Sequence, residues 1–226
     1  MKIACITYRI WAERIYFRLV EKYPQHTFLV WVKRKEYDEA ELKKFNPDLI
    51  LWFGWSWLIE DYFTTKYTSI MLHPSPLPKY RGGSPIQNQI INGERFSAVT
   101  LFRITNDLDA GDIFVQEPIV LDGDIDVIFD AISNAGYQAT CRVIEGDYTL
   151  KKQDPDKATF CKRRKESESE ITSDELRNAS GEYLYNKIRM LTGPYPRAFI
   201  RTNDNQKLYI EQASLGNAPR TQPKEI

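Results

Sequence analysis

The sequence predicts an α/β fold: a Rossmann-like, mostly parallel sheet with flanking helices, followed by a small C-terminal helix and β-hairpin region. Three observations predict it. Apolar runs such as "KIACITY" and "PDLILWFG" have the length and continuity of strands buried on both faces. They alternate with stretches whose apolar residues recur every three or four positions. From about residue 151 the chain turns charged and poor in aliphatics. This divides it into an α/β domain over 1–150 and a crossing segment, helix and small strands over 151–226.

Lys2 to Tyr8 reads as the first buried strand. In "IWAERIYFRLVEKY", Trp11, Ile15, Leu19 and Tyr23 fall every four residues, so a helix follows. His26 to Val32 is a second strand, and "DEAELKKF" a short helix with Asp38 as its cap. Pro47 to Gly54 and Tyr67 to His73 are the third and fourth strands. A stiff loop, "PSPLPKYRGGS", leads into a helix over "PIQNQIINGE", with Pro85 in its first turn and Gly93 past its end. "SAVTLFRIT" and "DIFVQEPIVL" are strands separated by "NDLDAG". "DVIFDAISNAGYQATCRVIEGDY" is the longest amphipathic helix. "KKQDPDKATFCKRRKESESE" is a surface crossing, "ELRNASGEYLYNKIRML" a helix, and "RAFIRTNDNQKLYIEQASL" two strands around an Asn-Asp-Asn turn. The tail "GNAPRTQPKEI" reads as loop.

Composition excludes several classes. Lys and Arg number 31 and so do Asp and Glu, so the basic excess of a chain built to grip nucleic acid is missing. No run of about 18 apolar residues predicts a membrane span. "MKIACITYR" lacks the pattern of a secretory signal. The three cysteines are widely spaced with no CxxC, and a reducing cytoplasm is the expected compartment. Two histidines far apart supply no zinc set, so no metal is expected. "TYRIWAER", at the first strand-to-helix turn, has no glycine where a dinucleotide fold carries G-x-G-x-x-G. "GWSWL" has Leu58 in place of the second glycine of a serine-hydrolase elbow.

The chemistry that remains centres on His73. It sits at the carboxyl end of a central strand, where ligands of open α/β sheets bind. A titratable ring there suits general acid work, or it simply hydrogen-bonds the loop that follows. His26 reads as a surface or edge residue. "ITNDLDAGD" brings Asp107, Asp109 and Asp112 between two strands; Asp109 precedes Ala-Gly, which allows a tight turn. An acid there can orient an imidazole, and aspartates also suit turns for their own sake.

"LHPSPLPKYRGGSPIQNQIINGE" followed by "LDAGDI" resembles the folate-dependent formyltransferase family, whose members act on glycinamide ribonucleotide, on methionyl-tRNA and on sugar nucleotides. Asp109 follows His73 by 36 residues, a spacing the family shares. "CKRRKESESEI" and "LYNKIRMLTGPYPRAFI" resemble segments of its longer members. The electroneutral chain and its end soon after Pro196 favour the sugar-nucleotide group over the tRNA enzymes.

The resemblance implies an N-formyltransferase that moves a formyl group from 10-formyltetrahydrofolate to the amine of a dTDP- or UDP-linked dideoxy amino sugar, in polysaccharide biosynthesis. It implies His73 as donor to the developing oxyanion and Asp109 as its partner. It puts the pterin ring near Trp52, Phe53, Gly54 and Trp55 and near Ile104, Thr105, Asn106 and Asp107. The family's Asn, two positions before the His, is Met71 here. A thioether donates no hydrogen bond, so this residue leaves three readings open: a compensating donor, with Ser69 and Gln87 to Gln89 as candidates; a slow or altered enzyme; or a folate or sugar-nucleotide binding protein. Ser75, Lys79, Tyr80, Arg81, Gly82 and Gln87 are the expected substrate contacts, with Lys79 or Arg81 on phosphate. The expected partners are folate and the nucleotide sugar, with no nucleic acid and no membrane. The C-terminal strands leave room for a homodimer.

Overall fold

The computed structural model describes residues 1–191, 193 and 195–216. The tail from 217, expected to be loop, lies outside the described residues, as does Pro194 in the "TGPYP" segment. The elements in chain order are β1 (Lys2–Ile6), α1 (Ile10–Lys22), β2 (Thr27–Trp31), α2 (Glu39–Phe45), β3 (Leu49–Leu51), α3 (Asp61–Lys66) and β4 (Thr68–His73). β5 (Arg81–Gly82), α4 (Pro85–Ile91), β6 (Phe96–Arg103), β7 (Ile113–Val120) and α5 (Ile125–Glu145) follow. β8 (Phe160–Cys161), α6 (Ser173–Asn178), α7 (Gly181–Arg189), β9 (Ala198–Arg201) and β10 (Lys207–Ile210) complete the set.

The main sheet has the order β2-β1-β3-β4-β6-β7. β2, β1, β3 and β4 run parallel, joined through helices; α3, between β3 and β4, was not among the elements expected from the sequence. β6 adds antiparallel to β4, and β7 antiparallel to β6. β6 and β7 are consecutive strands joined by the loop 104–112, and a short return to a neighbouring strand has to be antiparallel.

Side-chain alternation along the strands divides the core. Ile3, Cys5, Leu49, Leu51, Ile70 and Leu72 face α1, α4 and α5. Ala4, Ile6 and Ile50 face the opposite way, towards Leu42 of α2 and Phe63 of α3. α5 buries Ile125, Ile128, Phe129 and Ile132, each contributing roughly 1.5–3 kcal/mol of transfer free energy. Gly136 lets α5 lie against β4: a Cβ there would come within 2.6 Å of Leu72 Cδ1. Asp38 caps α2 as expected, accepting from the Ala40 and Glu41 amides.

Besides the unexpected α3, two features differ from the sequence expectations. The single helix expected over 175–191 is two, because Ser180 leaves the helical region and caps α7, accepting from the Tyr183 amide. Thr172 and Glu175 close a capping box on α6. The charged crossing after 151 is also tied to the α/β part: Lys151 bridges Ile113, and β8 pairs in parallel with β5. Ile171, Ile188, Met190, Leu191 and Ala198 join the same core cluster as β1 and β4. β9 and β10 form the expected antiparallel hairpin.

Candidate active site

β4 presents Ser69, Met71 and His73 on one face, two residues apart, while Ile70 and Leu72 enter the core on the other. The loop 104–112 folds back over the first of these faces, and the Ile104 amide donates to the Ser69 carbonyl. Asp109 thereby meets His73, with its Oδ2 3.6 Å from Nδ1. His73 is 6% exposed, and the Asp109 side chain 18%, so the carboxylate is the edge of the pair that solvent reaches.

The other ring nitrogen is fixed by the loop. Nε2 lies 2.8 Å from the Tyr80 carbonyl, an acceptor only, so Nε2 carries a proton and donates it there. Nδ1 is the edge left to chemistry. The loop carrying Tyr80 is held by side chains rather than by a strand ladder. Gln89 donates to the Pro74 carbonyl, Thr100 to that of Ser75, Gln116 to that of Leu77, and the Ser75 hydroxyl to that of Lys79. Tyr80, Ser84 and Asp109 all have positive φ, at 60°, 52° and 48°. For residues with a Cβ such backbone costs of order 1–3 kcal/mol and persists where the surroundings over-determine it.

Several expected contacts sit elsewhere. Ser75 is fully buried and serves the loop. Arg81, expected on phosphate, is 7% exposed, and its Nε and Nη2 are engaged by Gln153 Oε1 at 3.1 and 2.7 Å. It braces the fold instead of facing a ligand. The Tyr80 hydroxyl donates to Glu94. The Gly82 amide donates to Asp109 Oδ2 at 2.8 Å, which brings that residue into the site through its backbone. Lys79 is exposed.

Neither Ser69 nor Gln89 is free to replace a missing donor. The Ser69 hydroxyl accepts from Trp52 Nε1 and donates to the Phe63 carbonyl. Gln89 is engaged by Pro74, Pro85 and Ser97. Gln87 differs: it is 2% exposed and its Nε2 has no partner among the described residues. Met71 is half-buried against Leu77, Phe102 and Ile113.

Trp52 and Phe53 are core residues, 1% and 0% exposed, and the Phe53 amide donates to the buried Tyr16 hydroxyl. Gly54 sits against Arg9 and Trp11. Trp55 is nearly buried, yet its Nε1 finds no partner among the described residues. Ile104 packs on the same cluster as Trp52 and Trp55, so the two expected pterin segments are neighbours. Thr105, Asn106 and Asp107 are exposed beside it.

A cavity of about 650 Å3 opens at the carboxyl end of β1. Its walls include Tyr8, Arg9, Trp11, Phe129 and Tyr195. Burial pushes the Tyr195 phenol up, while the Arg9 and Arg163 guanidinium groups pull it back. Sequence reasoning missed Tyr8, Arg9 and Tyr195 as a group, and placed Trp11 only in the apolar spacing of the first helix. The signal for the first two was their place just after a parallel strand; Tyr195 arrives from 187 residues further along and left no local signal.

Fold and site together define a Rossmann-like α/β protein with an imidazole–carboxylate pair at the carboxyl end of a central strand. The chain belongs to the formyl transferase family, whose model matches residues 8–144. It is 34% identical over 190 residues to a methionyl-tRNA formyltransferase of Halalkalibacterium halodurans, covering 79% of this chain and 58% of that protein. The chain therefore spans little more than half the length of that relative. The solved methionyl-tRNA formyltransferase from Clostridium thermocellum superposes with a TM-score of 0.86 at 29% identity, over 96% of this chain and 94% of that one. A sugar N-formyltransferase from Shewanella sp. FDAARGOS_354 superposes with a TM-score of 0.74 at 16% identity, over 96% and 99%; at that identity the likeness is one of fold.

Proposed function

We propose that the protein is an N-formyltransferase that takes its formyl group from 10-formyltetrahydrofolate and passes it to the amine of a nucleotide-linked amino sugar. The observation that supports this most is the meeting of His73 Nδ1 and Asp109 Oδ2 at 3.6 Å, with Nε2 tied to the Tyr80 carbonyl. The folate fits the residues present: Trp55 Nε1 is a buried donor without a partner among the described residues, beside Ile104 and the exposed residues Thr105 to Asp107. When bound it supplies the formyl group.

The protein's own groups do the rest. His73 Nδ1 faces the reacting centre and neutralises negative charge developing on the formyl oxygen. Asp109 balances the charge on the ring and, being reachable from solvent, accepts the proton that the attacking amine must lose. The cavity at Tyr8, Arg9 and Tyr195 holds the acceptor. Its volume is that of a small-molecule site, aromatic walls suit a base or sugar, and the Arg9 fork suits phosphate.

A second reading has its own support. The 34% identity to a methionyl-tRNA formyltransferase favours an aminoacyl-tRNA acceptor. The test offers the folate donor with a panel of dTDP- and UDP-linked amino sugars and, in parallel, charged tRNA, scored by mass gain of a formyl group. The expected result is a formylated sugar nucleotide, with the rate lost by about 10²–10⁴ in His73→Ala. Formylation of tRNA alone decides for the second reading. Folate binding with no product on any acceptor decides for a binding protein.

A further inference from the structure

We propose that Gln153 is a positioning residue that, backed by Arg81, holds Asp109 in its working geometry; the proposal rests on the formyltransferase reading of the His73–Asp109 pair. Asp109 stands in the left-handed region at φ 48°, a conformation that persists only where neighbours impose it. Gln153 Nε2 donates to the Asp109 carbonyl at 2.9 Å and to the Gly111 carbonyl at 2.8 Å. It thus grips the backbone on both sides of the turn. At the other end of the same amide, Oε1 accepts Arg81 Nε and Nη2 at 3.1 and 2.7 Å. A charged fork on the oxygen polarises the amide and strengthens its two N–H donors. All the hydrogen-bonding capacity Gln153 shows is used between one buried cation and two turn carbonyls.

The neighbours make the grip narrow. Gly111 lies so close to the Arg103 carbonyl that a Cβ would come within 1.8 Å of it, so the turn has no room to shift that way. The Gly82 amide, next to Arg81 in β5, donates to Asp109 Oδ2. Arg81 and Gly82 therefore reach the same aspartate by two routes, the side chain through Gln153 to its backbone and the amide directly to its carboxylate. The β5–β8 pairing fixes the position of both relative to the chain after 151. Gln153 touches neither imidazole nor any reacting atom in this arrangement; it acts through Asp109.

The test is Gln153→Glu, which keeps the length and the Arg81 contact but sets a carboxylate oxygen against the two carbonyls. A misplacement of this order costs about 10²-fold in turnover. The expected result is that loss in kcat with KM for folate and acceptor within about twofold, since only the transition state uses the pair. In an Asp109→Asn background the same substitution has no further effect, because its route is already cut. The ring 15N shifts of His73, one of only two histidines, change on Gln153→Glu. Unchanged kcat, an equal loss in the Asp109→Asn background, or a loss that follows the fraction of unfolded protein would overturn the proposal. Should the wild-type protein transfer no formyl group, the shifts still decide: an unaltered His73 ring refutes the clamp, and an altered one keeps it while the activity reading fails.

Discussion

Met71 is where this chain departs from the family pattern, and its surroundings say what the departure does. The side chain lies on the His73 face of β4 and packs against Leu77, Phe102 and Ile113. It adds apolar contact where an amide would add a donor. Losing one oxyanion donor typically costs about 10²–10³ in turnover; of the alternative donors, Ser69 and Gln89 are engaged elsewhere, while Gln87 keeps an Nε2 without a partner among the described residues. Met71→Asn is therefore expected to raise kcat in the formyl-transfer assay by about 10-fold or more, at some cost in stability from a polar group set among apolar ones. An unchanged kcat would mean that Met71 is not at the reacting centre. At this scale the sequence was informative where a motif carried the chemistry. That His73 and Asp109 lie together was legible because residue type, strand end and spacing agreed. Arg81 misled because its partner Gln153 is 72 positions away, and an arginine in a loop shows nothing of what buries it.

The longer strands and helices were read, since buried period-two runs and four-residue spacing are local signals; the six-residue α3 was missed. The break between α6 and α7 was missed although Ser180-Gly181 marks it; the apolar spacing of Leu184 and Ile188 extended too easily backwards through it. The β5–β8 pairing involves two residues on each side and leaves no periodicity to read. The break also places Lys187 where it matters. Lys187 is 3% exposed and donates to Glu175 at 2.6 and 2.9 Å and to the Glu170 carbonyl. Burial acts to raise the Glu175 carboxyl, but Lys187, the Thr172 amide and the Tyr183 hydroxyl outweigh it and hold the carboxyl below its usual range. A carboxylate lowered on folding stabilises above its unfolded value and loses that contribution as pH falls through the folded one. Stability measured by urea is expected to fall on acidification from the ordinary glutamate range downward. Glu175→Gln is expected to flatten that dependence and cost roughly 3–5 kcal/mol at neutral pH, because a buried ammonium is left without its counter-charge. A variant as stable as the parent would show that Lys187 finds another partner.

The whole molecule combines a parallel half that alternation predicts with an antiparallel half that it does not. The second half is what folds the 104–112 loop back over β4 and closes the site. The charge of the whole chain is balanced, 31 against 31, and among the described residues no helix is long and apolar enough to cross a membrane. Balanced charge separates the two acceptor readings by salt. A tRNA acceptor gripped at 6–10 phosphates would lose about 10³–10⁵ in affinity between roughly 50 and 200 mM salt, through released counterions. A sugar nucleotide offers one short diphosphate with no condensed counterion atmosphere, and in the proposed reading Arg9 at the cavity wall would meet it. Screening alone then weakens it, and the Debye length changes only about twofold over that range. KM for the accepted sugar nucleotide is expected to rise by no more than about 10-fold across the same salt span, with kcat unchanged because the His73–Asp109 pair is largely out of water. A fall of several decades would transfer the acceptor assignment to RNA, and Arg9→Ala would then lose little, since one contact among many is removed. If the sugar-nucleotide reading holds, Arg9→Ala raises KM at every salt concentration and leaves kcat in place.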